Sequence, residues 1–179
     1  MQIEFLRIVQ SYVARIAIGP STVRGRGNTG VAEKARAHLR MLNLSRFGTK
    51  SGQDFSARLD EETESLLHSL PEGAQKWGLA RKIINIFLRD CAYSTYLAPE
   101  FRLSDAEEFY EIPLDSITAG ELVKVDAARR LQWLGIKHLT PEVSMEFQRL
   151  ALSEAKRLGV HRMHLDAYWW SHSRDDAKG

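Results

Sequence analysis

Apolar residues in this chain recur at spacings of three and four over Phe5 to Ile18, Val31 to Leu44, Phe55 to Leu70, Leu79 to Leu97, Leu122 to Leu134 and Val143 to Leu158. That spacing gathers them on one stripe of a helix, and no alternating strand pattern accompanies them. The expectation is an all-α protein. Several helix boundaries carry their own mechanism. Thr140-Pro141-Glu142 puts a cap ahead of a proline in the first turn, and Gly159 can end the same helix in a left-handed conformation. Asp115 is well placed to be a helix N-cap. A length of 179 residues suits one domain with a sizeable core, or two small lobes sharing a cleft. We expect one folding unit over residues 1–179.

The single cysteine, Cys91, excludes a disulfide framework and leaves too few thiolates for a cysteine-ligated zinc or iron-sulfur site. No stretch approaches the about twenty apolar residues of a membrane span, and Met1-Gln-Ile-Glu4 lacks the pattern of a signal peptide. A cytoplasmic protein without a membrane partner is expected. The net charge of +2 hides an uneven distribution: Met1 to Arg58 carries 10 basic and 3 acidic residues, Leu59 to Glu121 carries 5 and 13, and Leu122 to Gly179 carries 10 and 7. If the basic ends meet in space they form a phosphate-binding rim; otherwise they are solvated helix faces. The acidic run Asp60 to Glu64 reads as the first turn and solvent face of a helix.

Gly25-Arg-Gly-Asn-Thr-Gly30 matches a dinucleotide fingerprint in letters only, because its surroundings are helical rather than a βαβ unit. Arg24 and Arg26 in this loop are candidate contacts to nucleic-acid phosphates, or belong to a plain solvent loop.

The residue with the most chemistry in it is Lys82, set in the apolar helix Trp77-Gly-Leu-Ala-Arg-Lys-Ile-Ile-Asn-Ile-Phe-Leu88. A helix apolar nearly all round belongs at the centre of a fold, so Lys82 either snorkels to the surface or faces an internal cleft. In a cleft, burial and the positive helix end would both disfavour its ammonium form and prepare a nucleophilic amine. Asn85, Arg89 and Tyr93 follow Lys82 at three, seven and eleven positions, near the same face. Thirty-three positions after Lys82 comes Asp115, in Glu111-Ile-Pro-Leu-Asp-Ser116, which opens a new helix. His161 and His164 have metal-compatible spacing but no third ligand nearby. Trp77 and Trp133 read as core, as does at least one of Tyr168, Trp169 and Trp170.

Three segments in this order resemble the helix-hairpin-helix DNA glycosylases. Gly78-Leu-Ala-Arg-Lys-Ile-Ile-Asn-Ile-Phe-Leu88 is similar to that family's glycine-x-glycine-arginine-lysine-threonine-alanine-asparagine run, with Lys82 at the catalytic lysine. Ile112-Pro-Leu-Asp-Ser116 is similar to its apolar-valine-aspartate-threonine segment, with Asp115 at the catalytic aspartate. Leu158-Gly-Val-His-Arg-Met-His-Leu-Asp-Ala-Tyr-Trp-Trp170 resembles the C-terminal segment of the archaeal 8-oxoguanine glycosylase branch, which the wide lysine-to-aspartate interval also resembles.

The resemblance implies two helical lobes flanking a cleft and a monomer acting on DNA at the nucleoid. It also implies excision of a flipped base through a lysine Schiff base, with neither a redox cofactor nor a catalytic metal. Asp166, Trp170 and Arg89 would line the base pocket, while Lys76 and Arg81, with Arg24 and Arg26, would contact DNA. The chain departs from the family in three places. Leu70-Pro-Glu-Gly-Ala-Gln-Lys-Trp-Gly78 replaces the glycine-valine-glycine hairpin, Arg89 stands where the archaeal branch has a lysine, and Val13 stands for a base-reading glutamine. The base implied is an oxidised purine, chiefly 8-oxoguanine; a bulky modified base of phage DNA is the alternative. Two rivals lie in other classes: a catalytically silent DNA-binding module and a helical protein-interaction domain.

Overall fold

The computed structural model describes residues 2–23 and 30–169, and among these all regular structure is helical. The helices include α1 (Gln2–Ala17), α2 (Pro20–Val23), α3 (Val31–Met41), α4 (Gly52–Ser69), α5 (Trp77–Ala92), α6 (Leu97–Glu100), α7 (Ser116–Val125) and α8 (Pro141–Leu158), with short 3₁₀ turns between several of them. No helix is long and apolar enough to cross a membrane.

The caps follow the chemistry expected of them. Asp115 Oδ1 accepts from the amides of Ile117 and Thr118 at 2.9 and 3.1 Å, and Thr118 Oγ1 accepts from the Asp115 amide at 2.9 Å. This reciprocal box satisfies donors that the first turn of α7 would otherwise leave bare. Thr140 caps α8 ahead of Pro141, and Gly159 closes it at φ 70°. The start of α4 lies further upstream than the acidic run suggests. Ser51 is its N-cap, so Asp60 to Glu64 sit mid-helix, where Asp60, Glu61 and Glu62 pair with Arg81, Arg46 and His38.

One expected helix is cut short. α7 stops at Val125 instead of running to Leu134. The Asp126 carboxylate takes the amides of Ala128, Arg130 and Leu131 at 3.2, 2.6 and 2.7 Å, and Arg129 turns left-handed at φ 51°. An aspartate that binds the backbone just ahead of it offers the chain an alternative to the helix. Those amides, Leu131 foremost, hold the Asp126 carboxyl below its usual range.

Buried apolar side chains form two clusters. The larger joins α1, α3, α4 and α5, with Leu103, Ala106 and Tyr110. The smaller joins Ile112 and Leu114 to α7, α8, Ile136, Leu139, Leu165 and Trp169. Trp77 and Trp133 pack against the smaller one, half-buried, and Trp169 is the buried member of the C-terminal aromatic run.

α5 belongs to the first cluster and meets the second at its N-terminus. There Gly78 lets it approach the 136–139 segment closely. A Cβ on Gly78 would lie 2.6 Å from Ile136 O and 2.7 Å from Leu139 Cβ.

Candidate functional site

Between Leu79 and Cys91 every side chain of α5 is buried except Lys82, Ile86, Arg89 and Asp90. Spaced by three and four, these make one stripe, which Tyr93 continues at the C-cap. The stripe is one wall of a cavity of about 810 Å³. Ile16 and Ala17 of α1, the start of α7 at Asp115 to Ile117, Trp133, Gly135 and Ile136, and Asp166 with Ala167 line it as well. Both apolar clusters thus contribute elements to it, and its volume falls within the roughly 300–1,000 Å³ of small-molecule pockets.

Lys82 and Asp115 meet inside this cavity, Nζ to Oδ2 at 3.4 Å. The lysine side chain is 12% exposed, so its ammonium has not snorkelled to open solvent. Asp115 divides its oxygens: Oδ1 caps α7, and Oδ2 faces the amine. Its approach is clamped from α8. Buried Gln148 donates to Ile112 O at 2.8 Å and accepts from Ile112 N at 3.1 Å, tying down both backbone groups three residues before the aspartate. Nothing in the sequence around Gln148 signals that role.

Further along α5, Arg89 is held between two carboxylates. It donates to Asp90 Oδ1 at 2.8 and 3.0 Å and to Asp166 Oδ2. Burial pushes the Asp90 carboxyl above its ordinary value, against the pull of the Arg89 cation. Four residues expected at the site, Lys82, Asp115, Arg89 and Asp166, therefore share one cavity.

Others lie elsewhere. Arg81, expected at DNA phosphate, is 6% exposed and points into the protein. Its guanidinium grips Glu111 at 2.8 and 2.9 Å and also reaches Asp60 at 2.7 Å and Thr63 at 3.1 Å. A guanidinium so enclosed has no face left for a phosphate, which corrects that expectation. Burial alone would raise the Glu111 carboxyl, but Arg81, with Asn85 and Arg162, holds it below its usual range.

Asn85 likewise leaves the Lys82 face to donate to Glu111 at 3.0 Å. Lys76 is exposed at the N-cap of α5, outside the cavity lining. Val13 is buried and does not line the Lys82 cavity; Ile16 and Ala17 do. Arg24, Arg26 and Trp170 lie outside the described residues.

Trp133 and Asp90 are cavity residues that sequence reasoning missed. Trp133, read as core, packs its ring edge-on to Phe147 at 5.7 Å and also lines the cavity. His164, a possible metal ligand by spacing, sits instead between Tyr93 and Glu107. Among the described residues no group of three or more His, Cys, Asp or Glu side chains is arranged to hold a metal.

Among the described residues, fold and site define an all-helical protein with one cavity lined by an amine–carboxylate pair and an arginine–carboxylate cluster. No family model, no curated protein and no solved structure matches the chain.

Proposed function

We propose that this protein is a DNA glycosylase of the helix-hairpin-helix type with AP lyase activity, using Lys82 as nucleophile and Asp115 as its proton acceptor. The observation that carries the reading is the 3.4 Å approach of Lys82 Nζ to Asp115 Oδ2 within an 810 Å³ cavity. Two residues 33 apart in sequence, each with an ordinary structural explanation of its own, point their functional atoms at each other. The pairing of α4 and α5 across the short connection Leu70 to Lys76 also supports it, as does a lysine set in the helix that follows.

In this reading a base flips out of the duplex into the cavity. Asp115 takes a proton from Lys82, and the freed amine bonds to the anomeric carbon as the glycosidic bond breaks, its electron pair leaving on the base, which is then protonated. The sugar ring opens to a Schiff base. Loss of a proton from the adjacent carbon then expels the 3′ phosphate and nicks the strand. The alternative role for Asp115 is to stay ionised and stabilise the cationic sugar as the glycosidic bond breaks. Lys76, Arg24 and Arg26 are assigned to phosphate contacts, and the protein acts as a monomer at the cytoplasmic nucleoid.

The length of the cavity favours a modified base with a bulky substituent over a bare damaged one. Arg89 and Tyr93 follow Lys82 by seven and eleven residues, which at the helical rise is about 10 and 16 Å along the axis. Both line the same cavity as Lys82. A single flat ring beside Lys82 contacts only part of a lining that spans those three residues.

Borohydride trapping on duplexes that each carry one damaged or modified base tests the assignment. A covalent adduct that disappears in Lys82→Ala is the expected result. Absence of any adduct or abasic product across the panel moves the reading to a DNA-binding module without catalysis.

A further inference from the structure

Tyr93, on the cavity wall, is connected in series to two side chains outside the lining, His164 and Glu107. Glu107 Oε1 lies 3.0 Å from His164 Nε2, and His164 Nδ1 lies 2.7 Å from Tyr93 Oη. The imidazole and phenol rings are stacked, with centroids 5.6 Å apart and planes 6° from parallel. A carboxylate can only accept, so in the neutral imidazole Nε2 carries the proton and Nδ1 is the acceptor. In that tautomer the Tyr93 hydroxyl donates to Nδ1. Burial pushes its phenol up, against the nearby Arg89 cation, which keeps the proton on the oxygen.

With its one hydrogen committed to His164, the Tyr93 oxygen has only lone pairs left to offer. On the same wall stand the carboxylates of Asp90 and Asp166, further acceptors, with the Arg89 guanidinium as a donor between them. A hydroxyl, which both donates and accepts, suits that mixture better than an aliphatic or purely accepting group.

We infer that Tyr93, fixed as an acceptor by His164 and Glu107, forms with Asp166 and Arg89 a distal subsite that selects bases whose substituent is rich in hydroxyl groups. The inference rests on the glycosylase reading of Lys82 and Asp115. It makes Tyr93 a specificity-determining residue, and His164 and Glu107 positioning residues acting through it.

The test is single-turnover excision from duplexes carrying 5-hydroxymethylcytosine or its glucosylated derivative, with nicking of an abasic duplex measured in parallel. Wild type should favour the glucosylated base. Tyr93→Phe should lower excision of that base about ten-fold more than it lowers nicking at the abasic site, the effect of one lost hydrogen bond. Glu107→Ala and His164→Ala should give smaller losses of the same kind, because the hydroxyl stays but is free to turn. A preference for the unglucosylated base, or equal losses on the two duplexes in Tyr93→Phe, overturns the subsite while leaving the glycosylase intact. A wild-type protein that excises neither base and nicks no abasic duplex overturns the glycosylase reading and this inference with it.

Discussion

Of the two carboxylate oxygens of Asp115, Oδ1 receives the amides that open α7, which leaves Oδ2 to face Lys82. That division allows cap and chemistry to be separated by one substitution. Asparagine caps helices about as well as aspartate, so Asp115→Asn should keep the melting temperature near wild type while replacing the proton-accepting oxygen with an amide. Base release measured under single turnover should fall by about a hundred-fold or more. An unchanged rate removes Asp115 from the chemistry.

Arg81 illustrates the opposite relation, a residue whose neighbour in sequence misleads. It adjoins Lys82, but successive side chains project about 100° apart round a helix, and that rotation carries Arg81 from the cavity into the protein. Arg81→Ala should destabilise the fold by about 3–5 kcal/mol in denaturant titrations, because it strands Glu111 without its guanidinium. The same pair sets an acid limit. Glu111 is held below its unfolded value of about 4.3, so its contribution is complete above that pH and is lost as pH falls through the lower folded value. Stability followed by melting should decline over that interval in wild type, and the decline should be altered in Arg81→Ala.

At the scale of elements, α5 organises the site because its apolar faces are buried and one stripe is left over for the cavity. Its entry depends on Gly78. The 2.6 Å that a Cβ would leave to Ile136 O requires the 136–139 segment to move, and that segment continues into Gly135 and Trp133 on the cavity wall. Gly78→Ala should cost about 1–3 kcal/mol in stability and lower single-turnover activity. Wild-type stability in that variant would mean the contact is slack. The helices and most of their caps could be read from spacing and cap chemistry. The end of α7 could not, because the apolar spacing runs on through Leu134 while the Asp126 carboxylate binds the backbone beyond it. The clamp of Gln148 on Ile112 was equally out of reach, since it joins residues 36 apart through side-chain geometry alone.

At the scale of the whole molecule, elements of both apolar clusters wall the cavity, and the functional reading requires DNA to reach it. Lys76, exposed at the N-cap of α5, is the described basic residue we assign to phosphate. Lys76→Ala should weaken duplex binding similarly for all sequences and reduce the slope of log K against log salt by about one. An unaltered slope removes Lys76 from the interface.

What the sequence determined by itself was the helical class, the caps at Asp115, Thr140 and Gly159, and the two residues worth watching, because periodicity and capping are local and a lysine in an apolar helix is conspicuous. What only the tertiary structure decided was that Lys82 Nζ and Asp115 Oδ2 come within 3.4 Å, that Arg89 and Asp166 face the same cavity, and that Arg81 does not. The angle at which one helix presents a side chain to another is fixed by how whole faces pack, and no window along the chain contains that information.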